Sequence, residues 1–476
     1  MSDLVSVEPG SVAVLDEKVW WEKPVLAATR FLPGLKSFSP SKTFRKAVHG
    51  SAWTLIGYGS TQVARLTTTV LLARLLLGPK AFGLVALVNV FLSGLEMLSD
   101  LGVGLDVVQH KRGDDQAFIN TAFLIQAGRG MILWAIATAL AYPFAAFYKQ
   151  PAVLWLLIVG ATSTGLRGFT SGSVWTMTRH VQLKKLTLLT VSGEIAGLIA
   201  SLVWAIVSPS AWALVVGKVA SALIFVVGTH LVAEYSVSTR WDSQAAKDIL
   251  AFGTGIFIST ATYFLTGEAE RLVVGKFVNL VELGCFSLAL TICATATTGL
   301  LQITNQVFFP LIAQSVREDK VKAAKSFRSV RLLLLLVSAV LAVGFIAGSQ
   351  WVVALLLGPR YAMTGWILQL LGVRAALLLF MSINTSVLFA AGTTKYQAVG
   401  NTGRLVFLAV GLWIAFAHFG FREAIWVLAL SPIAVYVVQL FGLFRYFKSV
   451  IWVELASFGA LLTCVAVTAG ILLMVK

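Results

Sequence analysis

Long apolar segments separated by short polar connections occupy the chain from residue 52 to residue 474. Several of them exceed the ~20 apolar residues that a helix needs to cross a bilayer. They also lack the alternation of apolar and polar residues that is typical of barrel strands. The pattern predicts an all-α polytopic membrane protein with about thirteen spans, at 52–75, 81–108, 117–147, 152–177, 183–207, 211–233, 250–275, 283–313, 328–356, 362–390, 398–418, 423–444 and 451–474.

The stretch Ser51–Gln109 predicts a helical hairpin that carries charges at membrane depth. Arg65 lies midway along its first apolar segment, and Glu96 and Asp100 lie in the second. Charged residues inside spans are rare and tend to be functional. The spacing of Glu96 and Asp100 predicts a shared helix face, where like charges repel and one carboxyl can stay protonated. They are candidate acids for H+ or Na+ coupling, and pairing with an arginine is the alternative.

An internal repeat organises the chain. Arg74–Gly83 joins the first two spans, and Arg271–Gly284 joins the seventh and eighth in a similar way. Chance similarity of two apolar turns is the alternative, but an even number of spans between the copies favours a parallel repeat of two six-helix bundles. The expected organisation is a cytoplasmic tail at 1–50, a first bundle at 51–233, a cytoplasmic linker at 234–249, a second bundle at 250–448 and an additional transmembrane helix at 449–476.

Composition supports the membrane assignment and narrows the function. Hydrophobic residues make up 58% of the chain and charged residues 12%, against about 25% charged in soluble domains. The net charge of +16 comes largely from basic residues in the connections that lie inside if the N-terminus is cytoplasmic, and the cluster from Arg317 to Arg331 is the densest. This bias predicts a cytoplasmic N-terminus. It also explains the net positive charge without nucleic acid as a partner.

Enzymatic and metal sites are not predicted. Cys285, Cys293 and Cys464 lie in apolar segments without CxxC spacing, and the five histidines form no metal-binding motif. The outer connections are too short to hold a catalytic domain. We expect no enzyme activity, no metal and no cofactor, and the choice between H+, Na+ and uncoupled transport stays open.

Buried basic residues suggest a site for an anion. A guanidinium gives phosphate bidentate, charge-assisted hydrogen bonds, whereas ion pairing with Glu96, Asp100, Glu194 or Glu268 is the structural alternative. Lys218 lies near the outer end of its span and can snorkel, and Glu270 with Arg271 is expected to form a local pair. The candidate substrate-binding basics are Arg65, Arg374, Arg129 and Arg167, and the candidate polar lining of the cavity is Gln62, Gln126, Gln302 and Asn305.

Several motifs together resemble a known family. They are LARLLLGPKAFGLVAL (Leu72–Leu87), LSDLGVG (Leu98–Gly104) followed by Gln109, ERLVVGKF (Glu270–Phe277), QVFFP (Gln306–Pro310) and LLLGPRY (Leu355–Tyr361). The chain resembles the bacterial Wzx-type (WzxC-like) oligosaccharide flippases of the multidrug/oligosaccharidyl-lipid/polysaccharide (MOP) exporter superfamily over roughly Ala47 to Lys448. It departs from them at Lys80-Ala81, where acidic residues are expected, and at Glu270, where aspartate is expected.

The resemblance implies a MATE-like fold and a transport function. It implies flipping of undecaprenyl-pyrophosphate-linked oligosaccharide repeat units across the bacterial inner membrane by alternating access, for exopolysaccharide, lipopolysaccharide or other surface polysaccharide assembly. Implied partners are the lipid-linked oligosaccharide, membrane lipids, and polysaccharide polymerase and assembly proteins. The alternatives are a MATE-like exporter of drugs or peptidoglycan lipid precursors, for which a basic cavity is unfavourable, and a membrane polysaccharide polymerase or ligase.

Overall fold

A computed structural model describes the chain at residues 42–233, 240–318 and 320–475. Most of the predicted tail at 1–50 and the first part of the predicted linker at 234–249 lie outside these ranges. Residues Gly50–Lys476 form one compact unit, and every regular element within the described ranges is a helix or a helical turn. The predicted all-α fold class is confirmed.

Two membrane helices of the first half begin at prolines, and two of its predicted spans are broken. Pro79 and Pro151 occupy first-turn positions, where their missing N–H groups are not needed. Gly102, at φ 59°, supplies the left-handed residue between α2 and α3. A bend of 59° separates α5 from α6. The helices are α1 (Lys42–Leu71, extended by a π-turn at Leu72–Leu76), α2 (Pro79–Met97), α3 (Val103–Gln109), α4 (Gln116–Phe147), α5 (Pro151–Gly168), α6 (Ser173–Arg179), α7 (Leu183–Val207) and α8 (Trp212–Leu231).

Side-chain caps begin two helices of the second half. Asp242 caps α9 by accepting bonds from two backbone N–H groups. Asn279 and Glu282 form a capping box at the start of α11. The helices are α9 (Ser243–Gly267), α10 (Ala269–Phe277), α11 (Leu280–Ile303, followed by a π-turn at Thr304–Phe308), α12 (Phe309–Glu318), α13 (Lys320–Leu356), α14 (Ala362–Ala390), α15 (Lys395–His418), α16 (Phe421–Leu430), α17 (Pro432–Tyr446) and α18 (Ile451–Val475).

Fewer helices meet the membrane criterion than the thirteen spans predicted. By length and composition, ten described helices can cross a membrane, or eleven if the bent pair α5–α6 is one span. The predicted spans at 52–75 and 250–275 fold as α1 and as α9 with α10, but these helices are not among the ten. Each is the first helix of a predicted half, and each carries polar side chains along much of its length.

The two halves meet at a reciprocal glycine contact between α2 and α11. A Cβ atom on Gly83 would lie 2.1 Å from the carbonyl oxygen of Leu280, and one on Gly284 would lie 1.9 Å from that of Pro79. Pro79 lies four residues before Gly83, and Leu280 lies four residues before Gly284. In each copy, therefore, the glycine faces the carbonyl that lies four residues before the glycine of the other copy. This reciprocity is what a twofold relation between the two copies of the turn produces. The largest buried apolar cluster of the described chain includes both helices.

Replacing Gly83 or Gly284 with alanine is expected to destabilise the protein by about 1–3 kcal/mol. The added methyl group would overlap a backbone oxygen, which cannot move aside as a side chain can, so the two helices must separate. The midpoint of thermal unfolding in detergent measures the effect. Gly348→Ala is the matched control, since nothing lies within 4 Å of its Cβ position. Equal midpoints for Gly83→Ala and Gly348→Ala would contradict the tight crossing.

The C-terminal helix α18 is attached to the second half by a buried ion pair. The Arg331 guanidinium pairs with the Glu454 carboxylate, and both side chains are 0% exposed. Arg331 also donates to the Phe380 carbonyl and to the Asn384 side chain, and Asn384 donates to Glu454 at 2.8 Å. Arg331, which was counted in the inner basic cluster from Arg317 to Arg331, therefore lies well inside α13 and faces the core.

Ion pairs also join the halves at the end predicted to be cytoplasmic. Arg112, between α3 and α4, donates to Asp115 and to Asp242, each at 2.6 Å. The Arg112 guanidinium is the main reason why the pKa values of both carboxyls fall below their usual range. Arg179 donates to Asp114 at 2.9 Å. These two half-buried arginines of the first half thus have acidic partners.

Candidate functional site

A polar cavity of about 330 Å³ lies between three helices of the first half and one of the second. Helices α2, α4 and α5 provide most of its wall, and Thr260 from α9 completes it. The cavity brings together five residues that sequence analysis had proposed for binding or coupling. They are Glu96, Asp100, Gln126, Arg129 and Arg167.

The two acids line this cavity, but they do not share one helix face. Helix α2 ends at Met97, so the predicted continuous span at 81–108 was wrong. Glu96 lies in the last turn of α2 and accepts a hydrogen bond from the Thr164 hydroxyl at 2.6 Å. Asp100 lies in the following turn and accepts from the Gly102 N–H at 3.0 Å. The end of α2 at Met97 lies between them, and their coupling role stays a prediction.

Arg129 binds the carboxyl-terminal end of α2. Its guanidinium donates to the carbonyl of Ser99 at 2.7 Å and to that of Glu96 at 2.5 Å, and it also contacts the Ser99 hydroxyl. The last carbonyls of a helix lack intrahelical partners and carry partial negative charge, so a cation there is stabilising. Arg129 therefore has a structural role in this conformation, with much of its donor capacity already used.

Arg167 is the cavity arginine with the greatest free donor capacity. Its side chain is exposed at the last turn of α5. No carboxylate of the described chain lies within salt-bridge distance of it, and its guanidinium carbon lies 6.0 Å from the centre of the Phe225 ring. Glu96 and Asp100 line the same cavity, so its wall carries charged side chains of both signs.

Arg65 and Lys218 lie in the same half but have protein partners. Arg65 donates to Glu194 from Nε at 3.0 Å and from Nη2 at 2.7 Å, which is one of the ion pairs proposed as the structural alternative. Its side chain remains 56% exposed, so the pair leaves part of the guanidinium accessible. Lys218 donates to Asn89 at 3.1 Å, an interaction inside the bundle rather than the predicted snorkelling. Gln62 bonds to Tyr58 at 2.7 Å.

Arg374 lies outside this cavity, in a separate charged cluster of the second half. It donates to Glu270 at 2.8 Å, and both residues are buried. The expected local pair of Glu270 with Arg271 was wrong, because Arg271 pairs with Glu268 at 2.7 Å. The Glu270 side chain of α10 is buried, and it contacts Arg374 in the middle of α14 instead.

Arg404 is a third member of this cluster that was not predicted from the sequence. Arg404 on α15 is 8% exposed, and its Nε donates to the Ser431 hydroxyl at 3.2 Å. Its Nη2 and the Oε2 of Glu270 are buried without hydrogen-bond partners. The charges of Arg374 and Glu270 are close enough to act on it. Its position near the middle of an apolar span was the available signal.

The remaining predicted lining residues lie near the π-turn after α11. Gln302 precedes it, and its Oε1 is buried without a hydrogen-bond partner. Asn305 lies within the turn and is exposed. Neither lines the cavity of the first half, and their role in substrate binding stays a prediction.

The family of the chain is decided by a match over residues 71–364, to a family described as polysaccharide biosynthesis protein. That match covers more than half of the sequence. The chain belongs to the polysaccharide biosynthesis protein family. The matched region contains both copies of the repeated turn and the whole polar cavity.

Two relatives give this family membership a context. The teichuronic acid biosynthesis protein TuaB of Bacillus subtilis (strain 168) is 21% identical over 371 residues, which cover 75% of each chain. The succinoglycan biosynthesis transport protein ExoT of Rhizobium meliloti (strain 1021) is 22% identical over 386 residues, which cover 78% of this chain and 76% of the relative.

Solved structures confirm the fold predicted from the resemblance. An inward-facing MATE family multidrug resistance transporter of the MOP superfamily superposes with a TM-score of 0.64 at 14% identity, covering 81% of this chain and 94% of the transporter. The lipid II flippase MurJ in an inward closed conformation gives a TM-score of 0.64 at 14% identity, covering 87% and 92%. The family member described here is a multi-pass membrane protein with this fold.

Proposed function

We propose that the protein flips lipid-linked oligosaccharide repeat units across the membrane. The observation that supports this most is a polar cavity between the two halves, in which the Arg167 guanidinium has no carboxylate partner among the described residues. Family membership and the names of TuaB and ExoT, which concern teichuronic acid and succinoglycan biosynthesis, support a surface polysaccharide as the product that the flipped unit serves.

The proposed cargo is a polyprenyl diphosphate that carries a short oligosaccharide, as in undecaprenyl-pyrophosphate-linked units. Arg167 would bind the diphosphate because a planar guanidinium matches phosphate oxygens bidentately. Gln126 and Thr164 would offer hydrogen bonds to sugar hydroxyls from the same wall. The cavity is small for a whole repeat unit, so it would hold the charged linkage and its neighbouring sugar.

Movement of the halves would expose this cavity to each side in turn. Thr260 belongs to the second half and the other lining residues belong to the first, so relative motion of the halves opens or closes the wall. The outer crossing at Gly83 and Gly284 holds the predicted outer ends together in this conformation. The working site would be the bacterial inner membrane with a cytoplasmic N-terminus, and the polymerase that joins repeat units would use the product.

Replacing Arg167 with alanine is expected to lower polysaccharide export about tenfold or more without unfolding the protein. The change removes charge-assisted hydrogen bonds, each contributing about 1.5–3 kcal/mol, and it leaves no carboxylate without its partner. Export in a strain that lacks the chromosomal copy, together with the amount of membrane-inserted protein, measures the effect. Lipid-linked repeat units should accumulate on the inner leaflet.

Two further variants sharpen this test. Arg167→Lys keeps the charge but loses the planar fork, so partial export is expected. Arg422→Ala removes an exposed arginine at the opposite end of the bundle and should export normally. Normal export by Arg167→Ala would refute the proposed anion contact, and retained dye instead of accumulated repeat units would favour a drug exporter.

A further inference from the structure

Five exposed basic side chains cluster at one end of the second half. Lys325 and Arg328 lie near the start of α13, Lys395 begins α15, and Arg445 and Lys448 lie at the end of α17. We call these five residues the basic patch. All of them lie at the end of the bundle that the charge pattern predicts to be cytoplasmic.

Direct contacts hold the segments of the basic patch together. The Arg328 Nη2 donates to the Ser449 carbonyl at 3.2 Å, which places α13 beside the residue after Lys448. The rings of Tyr396 and Tyr446 lie 6.1 Å apart, so the residues next to Lys395 and Arg445 are in contact. Phe327, Phe447 and Val450 share one buried cluster beneath the patch. The five charges are therefore carried by one packed surface.

Acidic side chains do not neutralise this surface within its described segments. Residues 324–331, 393–398 and 441–454 contain a single carboxylate, Glu454, and it is buried in its pair with Arg331. The same end of the first half differs, because Arg112 and Arg179 there bind Asp115, Asp242 and Asp114. A general excess of inner basic residues explains positive charge in both halves, but it does not explain the lack of exposed carboxylates in these segments of the second half.

Exposed aromatic side chains lie in the same segment as Arg445 and Lys448 of the basic patch. Phe441, Phe444 and Trp452 are 63%, 54% and 79% exposed. Lys448 lies with its Nζ 5.3 Å from the centre of the Phe444 ring. Aromatic rings beside lysine and arginine are typical of the level of lipid headgroups, where long basic side chains reach toward phosphates.

We propose that the basic patch binds the headgroups of anionic phospholipids in the leaflet that it faces. Clustered lysine and arginine at the end of membrane helices attract anionic lipid with about 1 kcal/mol per charge, or about fivefold in affinity. The five exposed charges, the absence of an exposed carboxylate in the described segments 324–331, 393–398 and 441–454, and the neighbouring aromatic side chains all match that ligand. Neither the cavity of the first half nor the identity of the transported molecule enters this inference.

Competition between two lipids tests the proposal on the full-length protein. The protein is equilibrated with equal amounts of phosphatidylglycerol and phosphatidylcholine in detergent, and retained lipids are counted by native mass spectrometry. Wild type should retain phosphatidylglycerol in preference. The variant K325Q/R328Q/K395Q/R445Q/K448Q should lose this preference, with a drop of about fivefold for each charge removed that contacted a headgroup.

The matched control removes exposed basic residues from the predicted outer end. K80Q/K149Q/R360Q/R422Q changes side chains that are also exposed, and it should keep the preference of wild type. The preference of wild type should also fall between 0.1 M and 1 M salt, because the screening length shrinks from about 10 Å to about 3 Å.

Three results would overturn the inference. They are an unchanged preference in the patch variant, an equal loss in the outer control, and a preference of wild type that is insensitive to salt. If the variant with five substitutions does not fold, the double variant R328Q/K448Q should still lower the preference for phosphatidylglycerol. An unchanged preference in that folded double variant would also overturn the inference.

Discussion

Replacing Glu454 with alanine is expected to destabilise the protein by about 3–5 kcal/mol, because Arg331 then remains buried without its carboxylate. Arg331 and Glu454 are both 0% exposed, so water cannot replace the lost partner. Asn384 also loses its acceptor on Glu454. The midpoint of chemical or thermal unfolding in detergent should fall accordingly.

The comparison variants separate charge from packing. Trp452 lies on the same helix as Glu454, and its side chain is 79% exposed. The variant Trp452→Ala should therefore change the unfolding midpoint little. The double variant R331M/E454L removes both charges, and it should recover most of the lost stability, because apolar residues of similar volume can replace a buried pair. If Glu454→Ala matches Trp452→Ala, the pair does not stabilise the attachment of α18.

The fold class and the family were accessible from the sequence because they depend on repeated local signals. Apolar segments that are long enough to cross a bilayer predict the helices. The similar turns at Arg74–Gly83 and Arg271–Gly284 predict the repeat. The reciprocal contact explains why both turns contain a glycine at this position. Each of Gly83 and Gly284 faces a backbone carbonyl of the other copy, where a Cβ atom would not fit. The limits of the individual domains stay predictions.

The pairing of charges was not accessible in the same way, because it depends on which helices become neighbours. Glu270 pairs with Arg374, which is 104 residues away in the chain, and Arg65 pairs with Glu194 at a separation of 129. Arg271 was predicted as the partner of Glu270 because it is adjacent in sequence, and this prediction did not consider which side of the helix each residue faces. Consecutive residues point to different sides of a helix, whereas residues three or four apart are neighbours, as the observed Glu268–Arg271 pair shows.

These pairs change which arginine deserves the functional experiment. Arg65 and Arg374 were the strongest sequence candidates for anion binding, but each already has a carboxylate partner. Arg129 is engaged by helix carbonyls. Arg167 has the same charge and lines the same cavity as Arg129 without such partners, so an arriving phosphate need not displace a protein carboxylate there.

In the charged cluster of the second half, Glu270→Gln is expected to destabilise the protein by about 3–5 kcal/mol, and Arg374→Met by clearly less. The cluster contains two buried guanidiniums, Arg374 and Arg404, and one carboxylate, Glu270. Removing Glu270 leaves two positive charges uncompensated, whereas removing Arg374 leaves one charge of each sign. Uncompensated buried charge is the dominant penalty when an internal ion pair is broken, so the two partners of one salt bridge should differ in effect.

Arg404→Met provides the decisive comparison, and unfolding midpoints of all three variants in detergent measure it. This change leaves the Glu270–Arg374 pair intact at 2.8 Å and removes a guanidinium whose Nη2 has no hydrogen-bond partner, so stability should be unchanged or higher. A gain in stability accompanied by a loss of export would mean that the protein retains Arg404 for transport at the expense of stability. A loss of stability as large as that of Glu270→Gln would contradict the charge balance, since Arg404 would then have to be a required partner of Glu270.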